Sequence, residues 1–193
     1  MFQPKPLFLR IAAMMVLTGL ASSCRHAETP EPVEVKPGPP VLFEWKGAAL
    51  PGPIAVKIDL SEQKALLTRG GQPAGWTYVA SGTSSHPTPA GSFSIREKVR
   101  DKWSTSWGRI VDASGDTVNG NAKNGRDAVP VGGRFVGAAM PFWMRINGAI
   151  GMHAGPIPHP GSPASHGCIR LPGELAEILF EVTELGTPVE VVP

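Results

Sequence analysis

The stretch Ile54-Ala55-Val56-Lys57-Ile58-Asp59-Leu60 places a large apolar side chain at every second position. That spacing is what a strand with one buried face requires, and it does not suit a helix. Ser61–Lys64 then reads as a turn and Ala65–Arg69 as a second strand. Gly70-Gly71-Gln72 turns the chain into a third strand over 75–81. Pro89 and Gly91 fix a further tight turn, after which Phe93 and Ile95 share one face of the next strand. With 23 glycines and 21 prolines against a single tyrosine, the chain is suited to turns and irregular loops and not to a helical bundle.

Later segments extend the pattern. Phe135–Ile146 is strand-like and runs into Gly151-Met152-His153. Leu175, Ile178, Leu179, Val182 and Leu185 recur at helical spacing until Gly186, which predicts one core-facing helix near 174–185. Thr187–Val192 reads as a terminal strand. The fold class expected from these elements is mainly β with one helix in the C-terminal region. Residues 96–133 carry the weakest signal. Trp103 and Trp107 lie four apart and suit either a substrate groove or packing on a sheet. Ser114–Gly133, rich in Gly, Asn and Asp, predicts a long irregular loop, a lid or a wall of the site. His86, in the loop before Pro87, is expected to be a solvated turn residue.

The first 24 residues resemble an export signal. Lys5 and Arg10 supply positive charge ahead of the apolar run Ile11–Leu20, which is about half the length of a membrane-spanning helix. Ala21-Ser22-Ser23-Cys24 resembles a bacterial lipobox, in which Cys24 becomes the lipidated N-terminus. Ala21 stands where leucine is usual, so cleavage at ordinary small residues is the competing reading. Arg25 lacks the acidic inner-membrane retention signal and points toward the outer membrane. Residues 25–53, with Pro30, Pro32, Pro37, Pro39 and Pro40 and no periodic apolar pattern, predict an extended tether. The domain proper is expected over 54–193. The formal net charge is +2, and with no stripe of basic and aromatic residues this gives no case for nucleic-acid binding.

The chemistry concentrates in residues 151–172, GMHAGPIPHPGSPASHGCIRLP, which hold three of the five histidines and one of the two cysteines. The thiolate of a cysteine, not its thiol, attacks carbonyls, and a nearby imidazole can take the proton to give a thiolate–imidazolium pair. His153 and Cys168 are fifteen positions apart, so the Pro/Gly-rich loop between them must fold back for the two to meet. Other readings of Cys168 are a buried small hydrophobe, a disulfide with Cys24, or a zinc ligand. The last lacks the paired spacing that zinc sites show.

Ser165-His166-Gly167-Cys168-Ile169-Arg170-Leu171, preceded by Gly151-Met152-His153, resembles the catalytic signature of the L,D-transpeptidase (YkuD) family. IDLSEQKALLTRGGQ and YVASGT are similar to the family's opening hairpins, and Thr88-Pro89-Ala90-Gly91-Ser92-Phe93 to its Thr-Pro-x-Gly-x-Phe segment. The resemblance covers about 54–193. It implies an L,D-transpeptidase-like β-sandwich with one C-terminal-region helix and long active-site loops. It also implies Cys168 as nucleophile and His153 as general base, with Ser165, His166, Gly167, Arg170 and Ala154 lining the substrate and oxyanion positions. Relatives carry serine or glycine after the base. Ala154 has no side-chain acceptor, so a backbone carbonyl must orient His153.

The implied activity is cysteine acyl transfer on peptidoglycan: loss of D-Ala from a tetrapeptide stem and transfer to an amine, giving 3→3 cross-links. With water the same chemistry gives a carboxypeptidase or endopeptidase, and with a protein lysine it anchors proteins to the wall. A non-catalytic wall-binding module is the remaining alternative, and the presence of both His153 and Cys168 argues against it. No cofactor or metal is expected. The expected partners are peptidoglycan stem peptides and, through the anchor, a membrane. The chain is expected to be monomeric and to reside in the periplasm or cell envelope.

Overall fold

The computed structural model describes residues 38–193, so the signal reading of 1–24, lipidation at Cys24 and the first part of the tether lie outside the described residues. The strands expected from period-two spacing are present. β2 (Ile54–Asp59), β3 (Lys64–Arg69) and β4 (Gln72–Tyr78) form an antiparallel meander. Ile54, Val56 and Ile58 are buried on one face of β2 while Lys57 is exposed on the other. The C-terminal strand β11 (Pro188–Val192) pairs parallel to β2, with Val189 beside Val56 and Val191 beside Ile58. It pairs antiparallel to β5 (Gly91–Ser94) on its other side.

The tether expected over 25–53 does not hold for its last third. β1 (Phe43–Trp45) pairs antiparallel with β4, and a 3₁₀ turn follows at Gly47–Ala49. Phe43, Trp45 and Leu50 pack against the core. Three aromatic and aliphatic side chains among prolines leave too little periodicity to read, yet they bury enough apolar surface to hold the strand. The folded unit therefore begins at Pro39, and the first sheet has the order β1-β4-β3-β2-β11-β5.

The second sheet also departs from expectation. Residues 96–133 are mostly strand. β6 (Glu97–Val111) and β7 (Thr117–Lys123) form a long hairpin, and β7 occupies part of the 114–133 span where an irregular loop was expected. Ala122 is the only buried side chain of β7, so this edge strand is held by backbone hydrogen bonds and leaves no hydrophobic period in the sequence. β8 (Arg134–Asn147) pairs with β6, and β9 (Ile150–Ala154) with β8. β10 (Ile169–Leu171) closes the sheet, whose order is β10-β9-β8-β6-β7.

Residues of both sheets and of the helix α1 (Gly173–Val182) share one core. The helix buries Leu175, Ala176 and Leu179. It stops short of the expected end: Thr183 is already extended, its side chain hydrogen-bonded to the Leu179 carbonyl at 2.6 Å, and Leu185 is exposed. Among the described residues the protein is mainly β, two sheets and one α-helix, as the sequence pattern indicated.

Removing residues 39–53 would strip β1 from β4 and expose a sheet edge. Each lost apolar anchor, Phe43 and Trp45 in particular, contributes about 1–2 kcal/mol at partial burial. A chain starting at Ile54 is therefore expected to melt several degrees below one starting at Pro39. Equal thermal midpoints would show that β1 is not part of the stable unit.

Candidate active site

β9 and β10 lie side by side and parallel, with Met152 opposite Ile169, His153 opposite Arg170 and Ala154 opposite Leu171. Parallel neighbours need a long connection, and the Pro/Gly-rich residues 155–168 supply it. Extending the register by one residue sets Cys168 opposite Gly151. The fold-back that the sequence required is thus made by sheet pairing. His153 and Cys168 open into the same narrow cavity of about 250 Å³, together with Ser165, His166 and Arg170. The apolar part of its wall comes from Ala138, Ala139 and Met140 of β8 and from Pro156.

The turn Ser165–Cys168 is held from two sides. The Ser165 hydroxyl accepts from the Gly167 N–H at 3.1 Å and donates to the Cys168 carbonyl. Gly167 sits at φ +110, a conformation that favours glycine. From the other side, the Thr88 hydroxyl donates to the Gly167 carbonyl at 2.8 Å and accepts from the Gly82 N–H at 2.8 Å. A Cβ on Gly82 would lie 2.0 Å from the His86 carbonyl oxygen and 2.8 Å from the Gly167 Cα, so only glycine permits this approach. The Ser81 carbonyl accepts from the N–H groups of both Ala164 and Ser165 at 3.0 Å. Ser81 is in turn gripped by Gln63, which accepts from its N–H at 2.8 Å and donates to its hydroxyl at 2.7 Å.

His153 is 6% exposed. Its Nδ1 lies 2.8 Å from the carbonyl oxygen of Ala154. A carbonyl can only accept, so Nδ1 carries the proton and Nε2 is left as the basic nitrogen. This is the backbone orientation that the missing side-chain acceptor at Ala154 demanded. Burial pushes the His153 pKa from 6.5 down to about 4, outweighing the Ala154 carbonyl, which favours the cation; Arg170 lowers it further. Burial also raises the Cys168 thiol, against the opposing pull of the Gly151 N–H and the Arg170 charge. The thiol donates to the Ala149 carbonyl at 3.8 Å. Burial therefore favours the neutral thiol and the neutral imidazole over the thiolate–imidazolium pair that a cysteine beside a histidine can form. Away from water neither charged form is favoured.

The remaining candidates are placed as follows. Arg170 is half-buried at the cavity mouth, and among the described residues no carboxylate lies within 4.0 Å of it. A structural salt bridge is thus not its role. His166 stacks on Trp107 with ring centroids 3.8 Å apart and 13° between planes. His86 is not a solvated turn residue; its ring meets both Trp107 and His166 edge-on at 5.0 Å. Of the two tryptophans, Trp107 faces the site and Trp103 is 57% exposed. His159 lies exposed in the connecting loop and lines neither the nucleophile's cavity nor the groove beside it.

Sequence reasoning did not identify Gln63, Ser81 or Thr88 as parts of the site, although Thr88 lay within a quoted motif, and it left Trp107 between a substrate groove and sheet packing. It also missed Trp143, whose ring is 6.1 Å from that of His153 and whose Nε1–H donates to Glu97 at 2.9 Å.

The family model for the L,D-transpeptidase catalytic domain, YkuD, matches residues 53–191. The chain belongs to that family. Among solved structures it is similar to a L,D-transpeptidase from Enterococcus faecium, crystallised as a Cys-to-Ser mutant. Identity there is 26%, coverage 74% of this chain and 51% of that one, and the TM-score 0.54. A L,D-transpeptidase from Stackebrandtia nassauensis is 22% identical, with 75% of this chain and 57% of that one covered at a TM-score of 0.52. Another, solved in complex with imipenem, is 24% identical, with 72% and 58% covered at 0.53. The chain thus spans a little over half the length of these relatives. No curated protein matches it at a significant level.

The neutral resting pair has a pH signature. His153 gains its proton only near pH 4 and Cys168 loses its own only above the ordinary thiol range. Between about pH 5 and 8 no imidazolium is present to hold a thiolate, so Cys168 alkylation by iodoacetamide should rise about tenfold per pH unit through this window. A rate that is flat across the window would establish a preformed ion pair instead.

Proposed function

We infer that the chain is a peptidoglycan L,D-transpeptidase that works through a thioester on Cys168. The observation that carries this reading is the pairing of β9 with β10, which opens His153 and Cys168 into one cavity with the His153 Nε2 lone pair free. As the sulfur attacks the carbonyl of the third residue of a tetrapeptide donor, Nε2 takes the thiol proton. The peptide C–N bond to the terminal D-Ala then breaks, and the imidazolium returns its proton to the leaving amine. An acceptor amine attacks the resulting thioester, gives a proton to Nε2, and releases the thiol as the new amide forms. The Gly167 N–H is engaged by Ser165, so the oxyanion falls to the Cys168 N–H. Neutral starting groups fit this scheme, because the proton moves only as the carbon–sulfur bond forms.

Cys168→Ser should abolish turnover of purified muropeptides, followed by mass spectrometry, since a hydroxyl is far less acidic than the thiol this site activates. His153→Ala should cost on the order of a hundredfold or more, and His159→Ala much less. Imipenem should add its mass to the wild-type protein and not to Cys168→Ser. Muropeptide turnover that survives Cys168→Ser would end the assignment.

Export and lipidation belong to the same proposal. The charged and apolar run before Ala21-Ser22-Ser23-Cys24 supports a signal ending in a lipidated Cys24, which would tether the catalytic domain to an envelope membrane. Cys24→Ala should release the protein from membranes and abolish labelling with an alkyne fatty acid. An unlipidated mature N-terminus at another position would refute the anchor.

A further inference from the structure

β8 and β9 lie side by side with Met144 opposite Met152 and Arg145 opposite Gly151. Extending that register by one residue sets Trp143 opposite His153, and Arg170 flanks His153 on its other side. On the neighbouring rung, Gly151 lies between Cys168 and Arg145, and Arg145 is opposite Glu97 of β6. Positions two apart along a strand share a face. Cys168, His153, Trp143 and Glu97 therefore belong to one face of the second sheet.

Gly151 contributes no side chain to its rung, and the Trp143 indole takes that space. A Cβ on Gly151 would lie 2.8 and 2.9 Å from two atoms of the ring, so the indole rests on the Gly151 backbone. Its centre is 6.1 Å from that of the His153 ring, with 35° between the planes. Trp143 is 3% exposed. Its one polar side-chain atom donates to the Glu97 carboxylate at 2.9 Å, which fixes the way the ring faces. The same carboxylate oxygen lies 3.4 Å from the Arg145 Nε and 4.0 Å from the Lys102 ammonium, so the acceptor is itself held. The Ala154 carbonyl holds one edge of the imidazole through Nδ1, and the indole closes the side toward β8.

We propose that Trp143, pinned by Glu97, is a positioning residue for the base: its indole walls the β8 side of the His153 imidazole, keeps water from it and stops it from swinging away from Cys168. The inference rests on the reading of His153 as the base and adds to it what holds the base in place. The charged and titratable groups around His153 are Arg170 on β10, Cys168 and His166 in the shared cavity, and, behind the indole, Glu97, Arg145 and Lys102. Burial is the largest of the influences that bring the His153 pKa down to about 4, and the indole supplies part of that burial. Without it, water and the Glu97 charge both gain access to the ring, and both favour the imidazolium.

The test follows the His153 ring signals by NMR as pH is varied, and acylation of Cys168 by imipenem from the mass of the adduct over time. Trp143→Leu should raise the His153 midpoint by about one pH unit or more and slow acylation at neutral pH about tenfold. The acid limb of the acylation rate should move toward neutral pH with the midpoint, a change that a merely structural role would not produce. Glu97→Gln and Glu97→Leu lose the same charge, and only glutamine keeps an oxygen for the indole N–H. Glu97→Gln should therefore acylate within about twofold of the wild type, and Glu97→Leu several-fold more slowly. In a Trp143→Phe background, which keeps a ring and lacks the N–H, the two should no longer differ. An unmoved His153 midpoint in Trp143→Leu would overturn the proposal. Should that variant fail to fold, a difference between Glu97→Gln and Glu97→Leu that persists beside Trp143→Phe would overturn it. Wild-type acylation by His153→Ala would end the reading of His153 as the base, while the titration still decides what Trp143 does to the ring.

Discussion

The site depends on a seam of buried hydrogen bonds between the two sheets. After β4 leaves the first sheet, Ala80 exchanges backbone hydrogen bonds with Arg170 beside the second, at 3.0 and 3.1 Å. The next residues hold the Ser165–Cys168 turn through the Ser81 carbonyl and the Thr88 hydroxyl. Gln63, Ser81, Thr88 and Ser165 are each at most 5% exposed. A buried polar group deprived of its partner costs about 1–3 kcal/mol, so this network has few alternative arrangements. Cys168 immediately precedes β10 of the second sheet, and its turn is held by residues of the segment between β4 and β5 of the first.

The same burial sets the chemistry. Burial disfavours both the thiolate and the imidazolium, and the pKa directions of Cys168 and His153 follow from that. The Ala154 carbonyl settles the imidazole's tautomer without adding a charge. A carboxylate at that place would have raised the His153 pKa and pulled the pair toward its ionic form.

Legibility followed the amount of one-sided burial. β2 and β3 alternate because one face of each lies in the core and the other in solvent, and the helix showed its spacing because Leu175 and Leu179 both face that core. β7 buries one side chain and β1 none completely, so backbone pairing made strands there that no hydrophobic period announced. Leu185 matched the helical spacing, yet the helix had ended at Thr183, whose hydroxyl caps the Leu179 carbonyl. His86 sat among turn residues, and its place beside Trp107 and His166 arises only when loop and hairpin are folded together.

The sequence by itself determined the β character of the chain, offered Cys168 and His153 as the candidate thiol and imidazole, and required a backbone acceptor after His153. Those are consequences of side-chain chemistry and local spacing, and they survive any arrangement of distant parts. Tertiary structure decided which groups surround the pair. The parallel register of β9 and β10, the grip of Gln63, Ser81 and Thr88 on the turn, and the stacking of Trp107 on His166 all join residues that are not neighbours in sequence. Such contacts are selected by the shared core and by the requirement that every buried polar group find a partner, and no local pattern encodes them.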